Sequence, residues 1–321
     1  MNWKNKNVLV TGAGGFIGLA VAERLITEGA NVTALLKSHA VKPMGLFGAT
    51  MFVGNVTDYK LMSDIISSQE IEYIFHFAAN AIVRIGARDP MSTYDTNVMG
   101  TVAVLEAARN VGKTIKKILV ASSDKAYGDH EVLPYTEEMA LQPRNTYDTS
   151  KACADLVARS YAHNYSMPVV VTRCSNVYGP GDPNNSRIVP NSILRILDGE
   201  PPVLYSDVSV MEREFIYIDD VVEACLMLAS SDERTDGEAY NVGGTGARSV
   251  EDVVKTILLL MGADAQDPVI VQRESIFKEI QRQYIDAKKL VAVTGWQPKV
   301  SLVPGLKNTI AWYKAERERN R

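Results

Sequence analysis

Apolar residues are distributed through the first half of the chain in blocks of two alternating kinds. Residues 7–11, 31–36, 51–53, 73–77, 117–121 and 169–173 are short runs rich in Val, Ile and Leu, apolar throughout rather than at every second position. That pattern predicts strands buried on both faces. Residues 19–28, 60–67, 95–110 and 149–165 carry their apolar positions three and four apart, the spacing of amphipathic helices. Strand and helix in regular alternation predict an α/β fold, a doubly wound parallel sheet with helices on both faces. After residue 173 the rhythm breaks. The stretch N-V-Y-G-P-G-D-P-N-N reads as a loop, followed by a helix at 188–197, a strand at 214–218, helices at 220–229 and 250–261, and a helix start near 286. The closing K-A-E-R-E-R-N-R reads as a solvated helix end.

At 321 residues, the chain has room for one large domain or two smaller ones at roughly 150 residues each, and for a core that needs no metal or disulfide. Lys and Arg number 34 against 38 Asp and Glu, a net charge of −4. So mild an acidic excess gives no basis for a nucleic-acid or anionic-membrane partner, and any bound phosphate must be held by a few placed groups. Cys153, Cys174 and Cys225 form no C-x-x-C pair and are odd in number, which argues against a disulfide framework or a zinc site. The N-terminal M-N-W-K-N-K enters a strand at once, without a signal peptide's apolar stretch, and no segment reaches the ~18 apolar residues of a spanning helix. The expectation is a cytoplasmic protein.

The string V-L-V-T-G-A-G-G-F-I-G places Gly12, Gly15 and Gly18 between the first strand and the first helix, with Phe16 and Ile17 opening that helix. The first glycine permits a tight turn, the second lets backbone approach a pyrophosphate, and the third lets helix pack on strand. The helix start then presents N–H groups to phosphate. At the end of the second strand, where a carboxylate would accept the ribose hydroxyls of NAD, stand Leu36, Lys37, Ser38 and His39. A cation and a hydroxyl there suit the 2′-phosphate of NADP, with NAD as the alternative. The expected division is a dinucleotide-binding domain of 1–174 and 214–248, and a smaller lobe of 175–213 and 249–321.

Tyr147 and Lys151 stand four apart at the start of a predicted helix and so share a face. A free phenol, with a pKa near ~10, is a poor base at neutral pH, and an adjacent ammonium is expected to lower it. Tyr284 and Lys288 repeat the spacing, but no Ser-Ser strand end precedes them as Ser122 and Ser123 precede Tyr147.

T-G-x-x-G-x-x-G, S-S-D-K-A-Y-G, Y-D-T-S-K, R-C-S-N-V-Y-G-P-G-D and R-E-F-I-Y-I-D-D follow one another through the chain. Together they resemble the extended short-chain dehydrogenases/reductases of the nucleotide-sugar 4,6-dehydratase and epimerase family. The branch they are most similar to is CDP-glucose 4,6-dehydratase, whose strand end carries Asp-Lys where dTDP-glucose and GDP-mannose dehydratases carry Asp-Glu. The resemblance implies a nucleotide-diphosphate sugar as substrate, from a CDP- or GDP-linked hexose. Ser123 and Tyr147 would flank the sugar's C4 hydroxyl, and Lys151 would also hold the nicotinamide ribose. Asn176 would contact substrate, and Arg213 the nucleotide or its phosphates. By the same resemblance, Asn55 and Val56 would fall where the adenine lies, and Ala78, Ala79 and Asn80 would let the chain pass close to the dinucleotide. Water loss across C5 and C6 needs a further acid and base, for which Asp124 and Lys125 are available; as a base Lys125 must be neutral, and otherwise it stabilises the enolate. Arg187, Arg273 and Arg282 are candidates to clamp the diphosphate. The resemblance also implies a homodimer through helices 95–110 and 149–165. A 4-epimerase or 4-reductase needs Tyr147 but neither Asp124 nor Lys125, and a non-catalytic dinucleotide sensor needs none of them. His76 reads as packed, Asp219 and Asp220 as helix caps, and Gly243, Gly244 and Gly246 as a turn.

Overall fold

The computed structural model describes residues 2–38, 44–112, 114–205, 211–263, 266–272 and 280–319; His39 and Arg273 lie outside them. The chain runs β1 (Asn7–Thr11), α1 (Phe16–Thr27), β2 (Asn31–Leu36), β3 (Thr50–Val53), α2 (Tyr59–Ser68), β4 (Tyr73–His76), α3 (Val83–Arg88) and α4 (Pro90–Tyr94). A π-helical turn, Asp95–Met99, leads into α5 (Gly100–Val111), then β5 (Lys117–Ser123), α6 (Thr146–Tyr165) and β6 (Val169–Cys174). Next come β7 (Asn176–Tyr178), α7 (Ile188–Leu197), β8 (Val203–Tyr205), β9 (Glu212–Tyr217), α8 (Ile218–Ala229), β10 (Ala239–Val242), β11 (Ala247–Ser249) and α9 (Val250–Met261). The chain closes with β12 (Val269–Val271), β13 (Arg282–Gln283), α10 (Lys288–Thr294) and α11 (Leu302–Arg319).

Among the described residues a seven-stranded, wholly parallel sheet has the order β10-β6-β5-β4-β1-β2-β3. Its strands are apolar throughout because consecutive residues enter different cores. Val8 and Val10 pack with α1 and α8 residues such as Val21, Leu25, Val221 and Cys225, whereas Leu9 packs with Met62, Ile65 and Val104 of α2 and α5. From β1 the chain winds outward through β2 and β3, then returns to β4 on the other side. That reversal opens a crevice beyond the carboxyl ends of β1 and β4, where ligands of such sheets bind.

The second half adds a smaller sheet of β11, β9, β13 and β7, and a two-stranded pair of β8 and β12. The expected segment 214–248 divides between the sheets: β10 is an edge of the large one, while β9, which spans residue 214, and β11 belong to the small one. The small sheet is tied together by Glu214. This fully buried carboxylate accepts hydrogen bonds from the backbone N–H groups of Thr245, Gly246 and Ile285. The glycines around Thr245 do form a turn, with Gly244 and Gly246 at φ of +87° and +82°.

Two local expectations are corrected. The predicted helix 95–110 is interrupted, since 95–99 form the wider π turn. Asp219 and Asp220 do not cap α8, which starts at Ile218 with no side-chain cap. Instead the Asp220 carboxylate reaches across to accept the N–H groups of Lys299 and Val300 at 2.9 and 3.0 Å. It fastens the C-terminal segment, whose Trp296 ring is buried and donates to the Asp220 carbonyl.

Candidate active site

The loop between β1 and α1 has the form its glycines require. Gly12 sits at φ +69°, and a Cβ there would stand 2.7 Å from the Ala78 nitrogen. At Gly18 a Cβ would stand 2.3 Å from the Gly12 carbonyl oxygen, which explains the close passage of helix over strand. Gly15 differs: apart from that carbonyl at 3.3 Å, nothing would meet its Cβ. It faces the open cleft and is the N-cap of α1, with no side chain capping the first-turn N–H groups. A space left open by glycine in front of uncapped N–H groups fits a pyrophosphate. Leu36, Lys37, Ser38, Asn55, Val56, Ala78 and Ala79 line the same cleft, of about 1510 Å³.

At the centre of the cleft lies the amino end of α6. This helix starts at Thr146, three residues before the predicted start, because the Asn145 side chain accepts from the Asp148 N–H and caps it. Tyr147 and Lys151 are both buried on the first two turns of this helix and both line the cleft. Lys151 Nζ donates to the Ala121 carbonyl of β5 at 2.8 Å, and burial lowers its pKa to about 8. Burial raises the Tyr147 phenol above its ordinary value; the charge that most opposes this is Arg187, and a hydrogen bond with Ser123 helps. Lys151 is directed at the strand end, and the leading cation on the phenol is Arg187, the N-cap residue of α7.

Ser122 and Ser123 have separate tasks. Ser122 Oγ donates to the backbone carbonyl of Lys151. Ser123 Oγ caps a 3₁₀ turn, Asp124–Tyr127, by accepting the Lys125 N–H, and donates to Asp124 Oδ1 at 3.0 Å. The other oxygen, Asp124 Oδ2, is buried without a hydrogen-bond partner. Burial drives the Asp124 carboxyl from 3.8 up to about 6, against the pull of Lys125. Lys125 is half-buried and also lines the cleft.

The arginines separate. Arg187, the N-cap residue of α7, lines the cleft, pairs with Asp182 at 2.8 Å and stands 6.0 Å from the Phe16 ring centroid. Arg213 lines it too, held by donation to the Ile280 and Gln281 carbonyls, and Asn176 donates to the Glu214 carbonyl beside it. Arg282 is not brought there: it is largely exposed on β13 and paired with Glu212 at 2.6 Å. Strand alternation explains this, since Glu212 and Arg213 point to opposite faces of β9. Tyr284 and Lys288 are likewise absent from the described cleft lining, and Lys288 pairs with Asp286.

One contributor escaped the sequence reading. His76 lies between the hydroxyls of Thr11 and Thr101, and burial with the Lys151 charge lowers its pKa to about 3, so it is a neutral packing group. Beyond it, Asn97 of the π turn accepts the Asn80 N–H at 2.7 Å and donates to Ser150 Oγ at 2.8 Å. Ser150 in turn donates to the Tyr147 carbonyl. The π turn thus aims one buried amide at both the β4 loop and the catalytic helix. Helical periodicity carries no signal for such a turn.

A family model described as GDP-mannose 4,6 dehydratase matches residues 9–309. A trifunctional UDP-glucose 4,6-dehydratase/UDP-4-keto-6-deoxy-D-glucose 3,5-epimerase/UDP-4-keto-L-rhamnose-reductase of Arabidopsis thaliana is 31% identical over 97% of this chain. The chain spans about half the length of that relative, 47% of it. Among solved structures, a UDP-glucose 4-epimerase from Thermotoga maritima with UDP-glucose superposes with a TM-score of 0.90 at 31% identity, covering 97% of this chain and 99% of its own. A dTDP-glucose 4,6-dehydratase from Bacillus anthracis in complex with NAD gives 0.86 at 29% identity, covering 98% of each chain.

Proposed function

We propose that this chain, which belongs to the GDP-mannose 4,6-dehydratase family, removes water from a nucleotide-linked hexose to form a 4-keto-6-deoxy sugar. The observation that carries this reading is Asp124: a buried carboxyl beside Ser123, raised to about 6, with one oxygen unpartnered at the cleft. A carboxyl held near neutrality is what an elimination needs as its acid. A 4-epimerase, the activity named for the Thermotoga relative, has no use for it.

A nicotinamide dinucleotide seated over Gly15 supplies the acceptor for hydride from C4 and its return to C6. Tyr147, with Ser123 hydrogen-bonded to it, takes the proton of the C4 hydroxyl. The ketone so formed acidifies C5–H. Lys125 receives that proton or steadies the enolate, and the C6–O bond breaks as Asp124 gives its proton to the departing hydroxyl. When hydride returns to C6, a proton returns to C5, from Lys125 where it has held it or otherwise from water. Lys151 holds the nicotinamide ribose, and Asn176, Arg187 and Arg213 hold the nucleotide end.

Three finer readings belong to the same proposal. Leu36, Lys37 and Ser38 put no carboxylate at the end of β2, which favours NADP over NAD. The Asp124–Lys125 pair favours a CDP-linked sugar, or failing that a GDP-linked one. Met91, Met99 and Leu156, 81, 52 and 56% exposed on α4, the π turn and α6, favour a homodimer. Three free cysteines suit a cytoplasmic setting, and no described helix is long and apolar enough to cross a membrane.

The test is incubation with CDP-, GDP-, UDP- and dTDP-hexoses, read by mass spectrometry. Loss of one water, with no net cofactor consumption, is expected from one of them. An epimer of unchanged mass, or stoichiometric cofactor oxidation, would reject dehydration. Analytical ultracentrifugation decides the dimer, and titration with NADPH and NADH decides the cofactor.

A further inference from the structure

The 3₁₀ turn that carries Asp124 and Lys125 is four residues long and has little internal hydrogen bonding of its own, yet its last residue is among the most deeply buried in the protein. Tyr127 is fully inaccessible. Its hydroxyl donates to Asn241 Oδ1 of β10 at 2.7 Å and accepts from Arg173 Nη1 of β6 at 2.9 Å. The same guanidinium lies over the Tyr127 ring, 4.8 Å from its centroid. Arg173 is itself fixed by a two-point pair with Asp155 of α6, at 2.8 and 3.0 Å, both residues buried. The next residue, Gly128, is pinned as well, its carbonyl accepting the Tyr135 hydroxyl at 2.6 Å.

We propose that Asp155, Arg173 and Tyr127 form a positioning relay that sets the 124–127 turn, and so the reach of the Asp124 carboxyl, from the registry of α6, β6 and β10. The proposal rests on Asp124 being the acid of the elimination. None of the three residues lines the cleft, so they act through the turn and not on substrate. The relay explains how a short turn keeps a carboxyl buried that, loosened, would move toward water. It also places the acid relative to the base, because Asp155 and Tyr147 stand on one helix eight positions apart. Around Asp124, the groups that bear on its proton are Ser123 and Lys125 on its own turn, Arg213 and Glu214 on β9, Tyr135 on the following loop, Tyr147 on α6 and Cys174 on β6. Of these, Lys125 rides the turn that Tyr127 anchors, Ser123 caps it, and the others stand on neighbouring elements.

Tyr127→Phe is that deletion. With whichever sugar nucleotide of that panel loses water, the expected result is an unchanged KM, a kcat about 10- to 100-fold lower, the scale of an acid misplaced by about 1 Å, and retained oxidation at C4. Reduced nicotinamide should therefore accumulate during turnover, and the pH at which elimination falls off should drop from near 6 toward the ordinary carboxyl range. A merely structural tyrosine would alter melting temperature without this split. Asp124→Asn is run alongside. If Asp124→Asn turns over normally, the acid assignment itself fails, whatever Tyr127→Phe does. If Asp124→Asn stalls while folded Tyr127→Phe keeps wild-type kcat and pH profile, the relay is refuted. Should Tyr127→Phe not fold, Arg173→Lys, which keeps the charge facing Asp155 but loses the fork to Tyr127, carries the same expectation and the same refutation.

Discussion

Two pairs of residues line the cleft on very different supports. Tyr147 and Lys151 ride the first two turns of α6, a 20-residue helix capped by Asn145. Asp124 and Lys125 ride a four-residue 3₁₀ turn. The first pair is aligned by its spacing of four on one helix, which Asn145 caps and which Ala121 and Ser122 of β5 hold in place. The second is placed by groups distant in sequence, Asp155, Arg173 and Asn241, meeting at Tyr127. The contrast teaches where one scaffold can vary its chemistry. On the proposed chemistry, oxidation at C4, needed by epimerase and dehydratase alike, would rest on the helix pair. Elimination, needed by the dehydratase alone, would rest on a turn whose residues 124 and 125 can change without rewriting a helix.

The contrast can be broken or sharpened by substitution, beginning with the largest effect. Tyr147→Phe should remove both C4 oxidation and all later steps, lowering kcat about 10³-fold or more in steady-state assays, within the range of positioned acid–base groups; retained activity would detach the helix pair from the chemistry. Asp155→Ala leaves the buried Arg173 charge unpaired and should cost about 3–5 kcal/mol in urea unfolding, far more than any exposed pair such as Lys60–Asp64. Asp124→Asn should lower turnover about 100-fold while leaving C4 oxidation intact.

That last variant should also be the more stable protein. A carboxyl whose pKa is raised from 3.8 to about 6 in the folded state penalises folding once it ionises, and this shift is worth up to roughly 3 kcal/mol. The sign follows from proton counts: between the two values the folded chain holds the proton that the unfolded chain has lost. Wild type therefore loses stability as pH rises from about 4 through 6, and the gain in Asp124→Asn should be full above pH 7 and vanish near pH 3 in denaturant titrations. Equal stability at all pH values would mean that Asp124 is not held neutral. The smallest effect is expected at Lys37→Ala, about tenfold weaker NADPH binding with NADH unaffected, as suits one exposed charge on a phosphate.

What the sequence made legible follows the same division. The strands of the large sheet are read from apolar runs because both faces are buried, and the glycine loop because Gly12 and Gly18 meet backbone that admits no side chain. Tyr147 and Lys151 needed only helical spacing. The placement of Arg213 in the cleft and of Arg282 outside it depends on the pairing of β9 with β13, which no local pattern encodes. The partners of Asp220 and Glu214 lie 31 to 80 positions away along the chain. Asn97 was hidden by a π turn that apolar periodicity reads as ordinary helix.

Arg187 belongs by sequence to the second half of the chain, yet its guanidinium lies against Phe16 of the glycine loop and bears on the Tyr147 phenol. One cation thus stands between the places proposed for two occupants. Any shift that the first occupant imposes on it alters the affinity for the second, and thermodynamic reciprocity requires an equal factor in return. Sugar nucleotide and dinucleotide should then bind as a cooperative couple, with a coupling constant that Arg187→Ala reduces toward one.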